Sequence, residues 1–187
     1  MRAEDKTFLE TRRNRYLSML SSAMGRNEVD WLCRDALSDI DNFEFLFDLI
    51  FSHDNQIAWR AAWVIEKVSE KSIENFKNTH KDRLQELILT SSHGGLRRLV
   101  LSIIFNLPLR QPISVEFINR CFEQMMLVKE PVSVQVLSMK ILEKVCEIEH
   151  DLSQELETAL LSLDSDLFSK GFVAARKGVI KRLKMRV

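Results

Sequence analysis

The sequence predicts an all-α fold, an α-α superhelix built from helical hairpins. Three observations predict it. Residues 57–68 are apolar nearly all the way round a helix, the same apolar pattern returns three more times at a spacing of about 38 residues, and five Gly and three Pro in 187 residues allow only short connections.

The stretch 57–68 reads as a buried inner helix. At 100° per residue, Ile57, Ala61, Val64 and Val68 fall on one narrow face, and Ala58, Ala62 and Ile65 widen it. Trp59 and Trp63, one turn apart, extend the apolar surface, leaving Gln56, Arg60 and Lys67 as a thin polar strip. The alanines let neighbouring helices come close, and the two indoles read as core. Asp54 or Asn55 supplies the N-cap. A short amphipathic helix over 43–51 precedes it, so the unit is a hairpin with an outer and an inner helix.

The other elements follow the same logic. Residues 4–24 make a first amphipathic helix with Phe8, Leu9, Tyr16, Leu17, Met19 and Leu20 on its apolar side, ended by Gly25. A second helix spans 27–37, carrying Val29, Trp31, Leu32 and Leu37. After Glu70, a short helix over 72–76 with Ser72 as N-cap is expected, then a turn at 78–80. An outer helix over 81–91, a flexible loop over 91–95 and an inner helix over 96–107 come next. Leu96, Val100, Ile103 and Leu107 there repeat the central pattern. The third pair is 114–127 and 132–147, with Pro131 at the start of the second helix, where a missing N–H costs nothing. The last pair is 152–163 and 166–184, with Phe168, Phe172, Val179, Ile180 and Leu183 inward.

Matched by apolar face, the inner helices start near Ile57, Leu96, Val134 and Phe172. This period lies between the tetratricopeptide and HEAT/armadillo values, and two-helix units with an apolar inner helix fit HEAT-like repeats. The expectation is one α-solenoid domain over 1–187, with capping helices at 1–40 and a basic capping helix at 165–187. Three segments carry a resemblance to small bacterial HEAT-like repeat proteins. They are Ala61-Ala62-Trp63-Val64-Ile65-Glu66, Val134-Gln135-Val136-Leu137-Ser138-Met139-Lys140-Ile141-Leu142, and the run from Gly171 to Lys181. The resemblance covers residues from about 30 to the end and implies the fold, but no defined activity. Some relatives are labelled adenylosuccinate lyase. This chain lacks that enzyme's flexible Ser-Ser-x-Met-Pro-x-Lys-x-Asn loop, and its residues do not support the label.

Composition narrows the function. Apolar residues at 45% suffice for a core, and a formal net charge of zero gives no whole-protein attraction to nucleic acid or anionic membrane. With no apolar run of membrane-spanning or signal-peptide length, a soluble, cytoplasmic protein without a membrane partner is expected. Cys33, Cys121 and Cys146 lack CxxC spacing and sit in apolar helical contexts, reading as reduced, buried thiols.

No catalytic, cofactor or metal constellation stands out. His53, His80, His93 and His150 are scattered. Glu147-Ile148-Glu149-His150 has the E-x-x-H spacing of half a di-metal carboxylate site, but the other half is missing. His93-Gly94-Gly95 before a helix lacks the Lys-Ser/Thr and preceding strand of a phosphate loop. The Ser-rich spots have no G-x-S-x-G context. A non-enzymatic protein without cofactor is therefore expected.

The cations remain. Residues 169–187 hold seven Lys/Arg and no Asp/Glu. Lys170, Lys177, Lys181 and Lys184 fall within about 60° on the wheel, either as a solvated face or as a contact surface. Arg60, Arg97 and Arg98, on successive inner helices, would line the concave side. HEAT-like DNA glycosylases acting on alkylated bases use such a surface, and Trp59 and Trp63 invite the comparison. However, Glu66 lies a turn away from the required acidic position, and Asp54 lies outside the helix. The primary expectation is a non-enzymatic scaffold binding a protein partner on its concave face. The alternative is a nucleic-acid-binding module using Arg60, Arg97, Arg98 and the lysine stripe.

Overall fold

A computed structural model describes residues 3–109 and 111–185, with side chains described from Glu10 onward, so the expected roles of Phe8 and Leu9 lie outside the described residues. The described residues form ten α-helices and two 3-10 turns, without a strand. The chain divides into two compact units, Met1–Lys77 and Asn78–Val187.

The first unit contains α1 (Ala3–Ser21), α2 (Arg26–Ser38), α3 (Ile40–Asp48) and α4 (Asn55–Ser69), with a 3-10 turn at Leu49–Phe51. α4 is the expected inner helix. It packs against α1, α2 and α3 and buries Ala58, Ala61, Ala62, Val64, Ile65 and Val68. Asp54 caps it, accepting from the N–H groups of Gln56 (2.8 Å) and Ile57 (3.2 Å). Such a cap is worth about 1 kcal/mol. α2 turns Val29, Leu32, Cys33 and Ala36 inward at i, i+3, i+4, i+7 spacing.

Several local expectations give way here. Trp59 and Trp63 are half-exposed, not core, and lean on one another with ring centres 5.9 Å apart. The alanine face of α4, not the indole face, takes the neighbours. α1 ends at Ser21, and Gly25 instead caps α2, its N–H donating to Glu28 Oε2 at 2.8 Å. No helix forms over residues 72–76. Phe76 packs edge-on to Phe43 (5.0 Å) and beside Phe47 (6.4 Å), and burying that ring outweighs a short, poorly nucleated helix. The expected turn at residues 78–80 is the first turn of the next helix.

The second unit contains α5 (Asn78–Thr90), α6 (Gly94–Asn106), α7 (Val115–Met126), α8 (Val132–Val145), α9 (Leu152–Ser162) and α10 (Lys170–Lys184). Three hairpins result: α5 packs on α6, α7 on α8, and α9 on α10. α8 lies between α6 and α10, touching both, so the three inner helices form one row. Their buried faces carry Val100 and Ile103 on α6, Val134, Ile141 and Val145 on α8, and Phe172, Val179 and Leu183 on α10.

The expected loop over 91–95 is shorter. His93 is the N-cap of α6, its Nδ1 accepting from Leu96 N–H at 3.0 Å, and Gly94 opens the helix. A Cβ on Gly94 would lie 3.4 Å from Pro131 Cγ, so the bare Cα lets the starts of α6 and α8 approach closely. α10 begins at Lys170 rather than 166, capped by Ser169 Oγ accepting from Phe172 N–H at 3.2 Å. The preceding residues Ser165–Leu167 form a 3-10 turn because Arg176 holds Ser165 Oγ at 2.5 Å and Leu163 O at 2.6 Å.

Candidate interaction surface

Four cations on inner helices have inward, structural partners. In the first unit, Arg60 on α4 donates to Leu20 O at 2.6 Å and to Ser22 O, at the C-terminal end of α1. In the second unit, Lys144 on α8 donates to Phe105 O (2.7 Å) and Leu107 O (3.0 Å) at the end of α6. Arg176 on α10 donates to Leu163 O just past the end of α9. Each cation satisfies carbonyls that a helix terminus leaves open and sits at the negative end of its dipole. Burial holds the Lys144 amine below its ordinary pKa. Arg97 makes a fourth inward contact, a bidentate ion pair with Glu130 at 2.9 Å.

The C-terminal helix behaves differently. Phe172, Arg176, Val179 and Leu183 are buried at i, i+4, i+7, i+11 spacing, so the opposite side of α10 faces solvent. Lys170, Lys177, Lys181 and Lys184 all lie exposed on that side. Lys184 approaches Glu157 of α9 at 3.5 Å. No ion pair involves Lys170, Lys177 or Lys181 among the described residues.

The predicted candidates thus separate. The four lysines share one helix face, Arg98 is half-buried on α6, and Arg60 belongs to the first unit while Arg97 and Arg98 belong to the second. Beside the lysines lies a feature that sequence reasoning missed. Gly171, Ala174 and Gly178 run along the edge of the lysine row nearest α8. There, Arg182 clasps Glu143 of α8 through Nε–Oε1 at 2.5 Å and Nη2–Oε2 at 2.8 Å. That carboxylate holds the Arg182 guanidinium pKa above its ordinary value. Gly178 and Arg182 at i, i+4 were the available signal, but the partner helix was not.

Other sites offer less chemistry. A cavity of about 220 Å³ lies between α5 and the segment after α6, lined by Lys81, Gln85, Ile104, Leu107, Pro108 and Pro112. It is below the roughly 300–1,000 Å³ of sites for drug-sized ligands. Cys33, Cys121 and Cys146 are free and buried, and burial pushes the Cys33 and Cys121 thiols up, away from the reactive thiolate. Among the described residues no three His, Cys, Asp or Glu side chains gather as a metal site, and no helix is long and apolar enough to cross a membrane.

Hairpins stacked through a row of inner helices define a helical-repeat protein. A family model described as a HEAT repeat domain matches residues 16–183, and the chain belongs to that family. No curated protein matches the chain.

Proposed function

We propose that the protein is a non-enzymatic HEAT-repeat scaffold that binds a protein partner through the exposed lysine face of α10. HEAT repeats commonly mediate protein interactions and generally do no chemistry themselves, which supports the class. The observation carrying the site is the set of three exposed lysines, Lys170, Lys177 and Lys181, without an ion pair among the described residues. The nucleic-acid alternative draws on the same lysines. It loses support at Arg60 and Arg97, whose guanidinium groups are engaged by Leu20 O and by Glu130.

The test is affinity capture from nuclease-treated host extract with the wild-type chain and with Lys177→Glu/Lys181→Glu. A defined polypeptide retained by the former and lost by the latter supports the scaffold. Direct binding of single- or double-stranded DNA or RNA at about 50 mM salt, collapsing at about 200 mM and lost in the double variant, transfers the site to nucleic acid.

A further inference from the structure

The lysine row does not stand alone on α10. Lys170, Lys177, Lys181 and Lys184 are spaced i, i+7, i+11, i+14, covering about 21 Å at 1.5 Å per residue. Toward α8 the helix surface drops to Gly171 and Ala174, while Gly178, further along, is covered by Arg182, whose Nη1 lies 3.3 Å from where a Cβ would stand. A Cβ on Gly171 would meet only Ser169 Oγ and Val132 Cγ1, both at 3.9 Å, an ordinary contact. Val132, at the start of α8, is itself 40% exposed. Val136 and Glu143 share that edge of α8, and Glu143 is clasped by Arg182 of α10. The surface is therefore a shallow groove between two parallel-packed inner helices. Its floor is Gly171 and Ala174, one end is apolar Val132, the other is closed by the Arg182–Glu143 pair, and one rim is a straight line of cations.

We infer that this groove docks an acidic amphipathic helix of the partner, lying antiparallel to α10. The inference rests on the proposed scaffold function and names the partner's chemistry. Two helix axes approach to 8–10 Å when small residues stand at the contact. Gly171 and Ala174 provide this along the first turns of α10, and an antiparallel arrangement opposes the two helix dipoles. Carboxylates on the docked helix at i, i+3, i+7 and i+14 would fall opposite Lys184, Lys181, Lys177 and Lys170. An apolar residue near its C-terminal end would cover Val132.

Charge complementarity favours a narrow acidic occupant over a phosphate backbone. The cations occupy a single 60° stripe, about one side chain wide. The adjoining α9 hairpin carries Glu155, Glu157, Asp164 and Asp166, which confine any anionic occupant to that stripe, a width that suits one row of carboxylates on a helix. Exposed aromatic side chains for base stacking are absent from the described part of α10.

The experiment measures, by fluorescence anisotropy, binding of a synthetic helical peptide with Glu at i, i+3, i+7 and i+14 and Ala facing the floor. A peptide of identical composition with the Glu positions scrambled, and a single-stranded DNA of equal charge, are the comparisons. The expected result is at least tenfold tighter binding of the registered peptide than of either comparison. Lys177→Glu/Lys181→Glu should lose that binding. Gly171→Phe, which keeps every charge and fills the floor, should weaken it by tenfold or more, with the helical circular dichroism unchanged.

Equal binding of registered and scrambled peptides, or indifference to Gly171→Phe, overturns the docked helix. In that case, if the partner captured from extract is still lost in Lys177→Glu/Lys181→Glu, the lysine-face scaffold stands without it. Tighter binding of the DNA overturns the inference in favour of a phosphate ligand. A captured partner retained by the lysine double variant overturns the lysine-face reading itself.

Discussion

Arg97 and Glu130 face each other as a bidentate ion pair, Nη1 to Oε1 and Nη2 to Oε2 both at 2.9 Å, with side chains only 10% and 8% exposed. Through it α6 holds the turn between α7 and α8, whose Leu127 carbonyl is also bound by Gln135 Nε2 at 2.9 Å. The same turn exposes Leu127 and Val128 to solvent, so polar anchoring rather than apolar burial fixes its course. Removing one partner leaves a buried charge uncompensated. Glu130→Ala should therefore cost about 3–5 kcal/mol in urea unfolding, whereas Arg97→Met/Glu130→Leu should recover most of it. A Glu130→Ala chain with wild-type stability would contradict this account.

Tyr16 is the one tyrosine of the chain, which makes its ionisation directly readable. Its hydroxyl donates to Asp35 Oδ2, and Asp35 also receives Arg12 at 2.9 Å. Burial first, then Asp35, pushes the phenol well above its ordinary value. The unfolded chain would release this proton near pH 10 while the folded chain retains it. Stability contributed by Tyr16 is thus fully present below about pH 10 and falls as pH rises further, because the native state then binds more protons. Ultraviolet titration should show phenolate appearing together with unfolding. Tyr16→Phe should flatten the alkaline fall in melting temperature. Phenolate forming at the ordinary pH in a chain that stays folded would refute the burial.

Neighbouring cations on α10 should behave oppositely. Arg176 is 9% exposed and binds Leu163 O and Ser165 Oγ, so Arg176→Met should destabilise by about 1–3 kcal/mol through unsatisfied carbonyl and hydroxyl groups. Lys177→Glu/Lys181→Glu alters only exposed side chains and should stay within about 0.5 kcal/mol per substitution. Chemical denaturation of both variants checks the contrast. Equal losses would mean that the lysine face is structural.

The thiols offer a probe of the core. Cys33, Cys121 and Cys146 should react slowly with a disulfide reagent in the native chain and together on unfolding, since all three are buried. Rapid native reaction of any one would place it at the surface.

The inner helices were legible from sequence because their signal is local: an apolar repeat of 3.6 residues, an N-cap such as Asp54, and recurrence every 38 residues or so. The lysine stripe of α10 was legible for the same reason, since a helix once placed assigns every side chain an angle. What a cation or aromatic ring touches is not local. Arg60 and Arg176 are cations in helices like Lys177, and nothing along the chain shows that the first two end on carbonyls 40 and 13 residues away. Phe76 reads as part of a short helix until Phe43 and Phe47 supply a ring cluster to bury it. Gly171 gives no signal along the chain until Val132 of α8 stands beside it at the edge of a groove. The long helices, the lysine face of α10 and the repeat were carried by the sequence alone, because they depend on neighbours along the chain. The tertiary structure decided which polar groups are engaged and which stand free, because desolvation and pairing depend on neighbours in space.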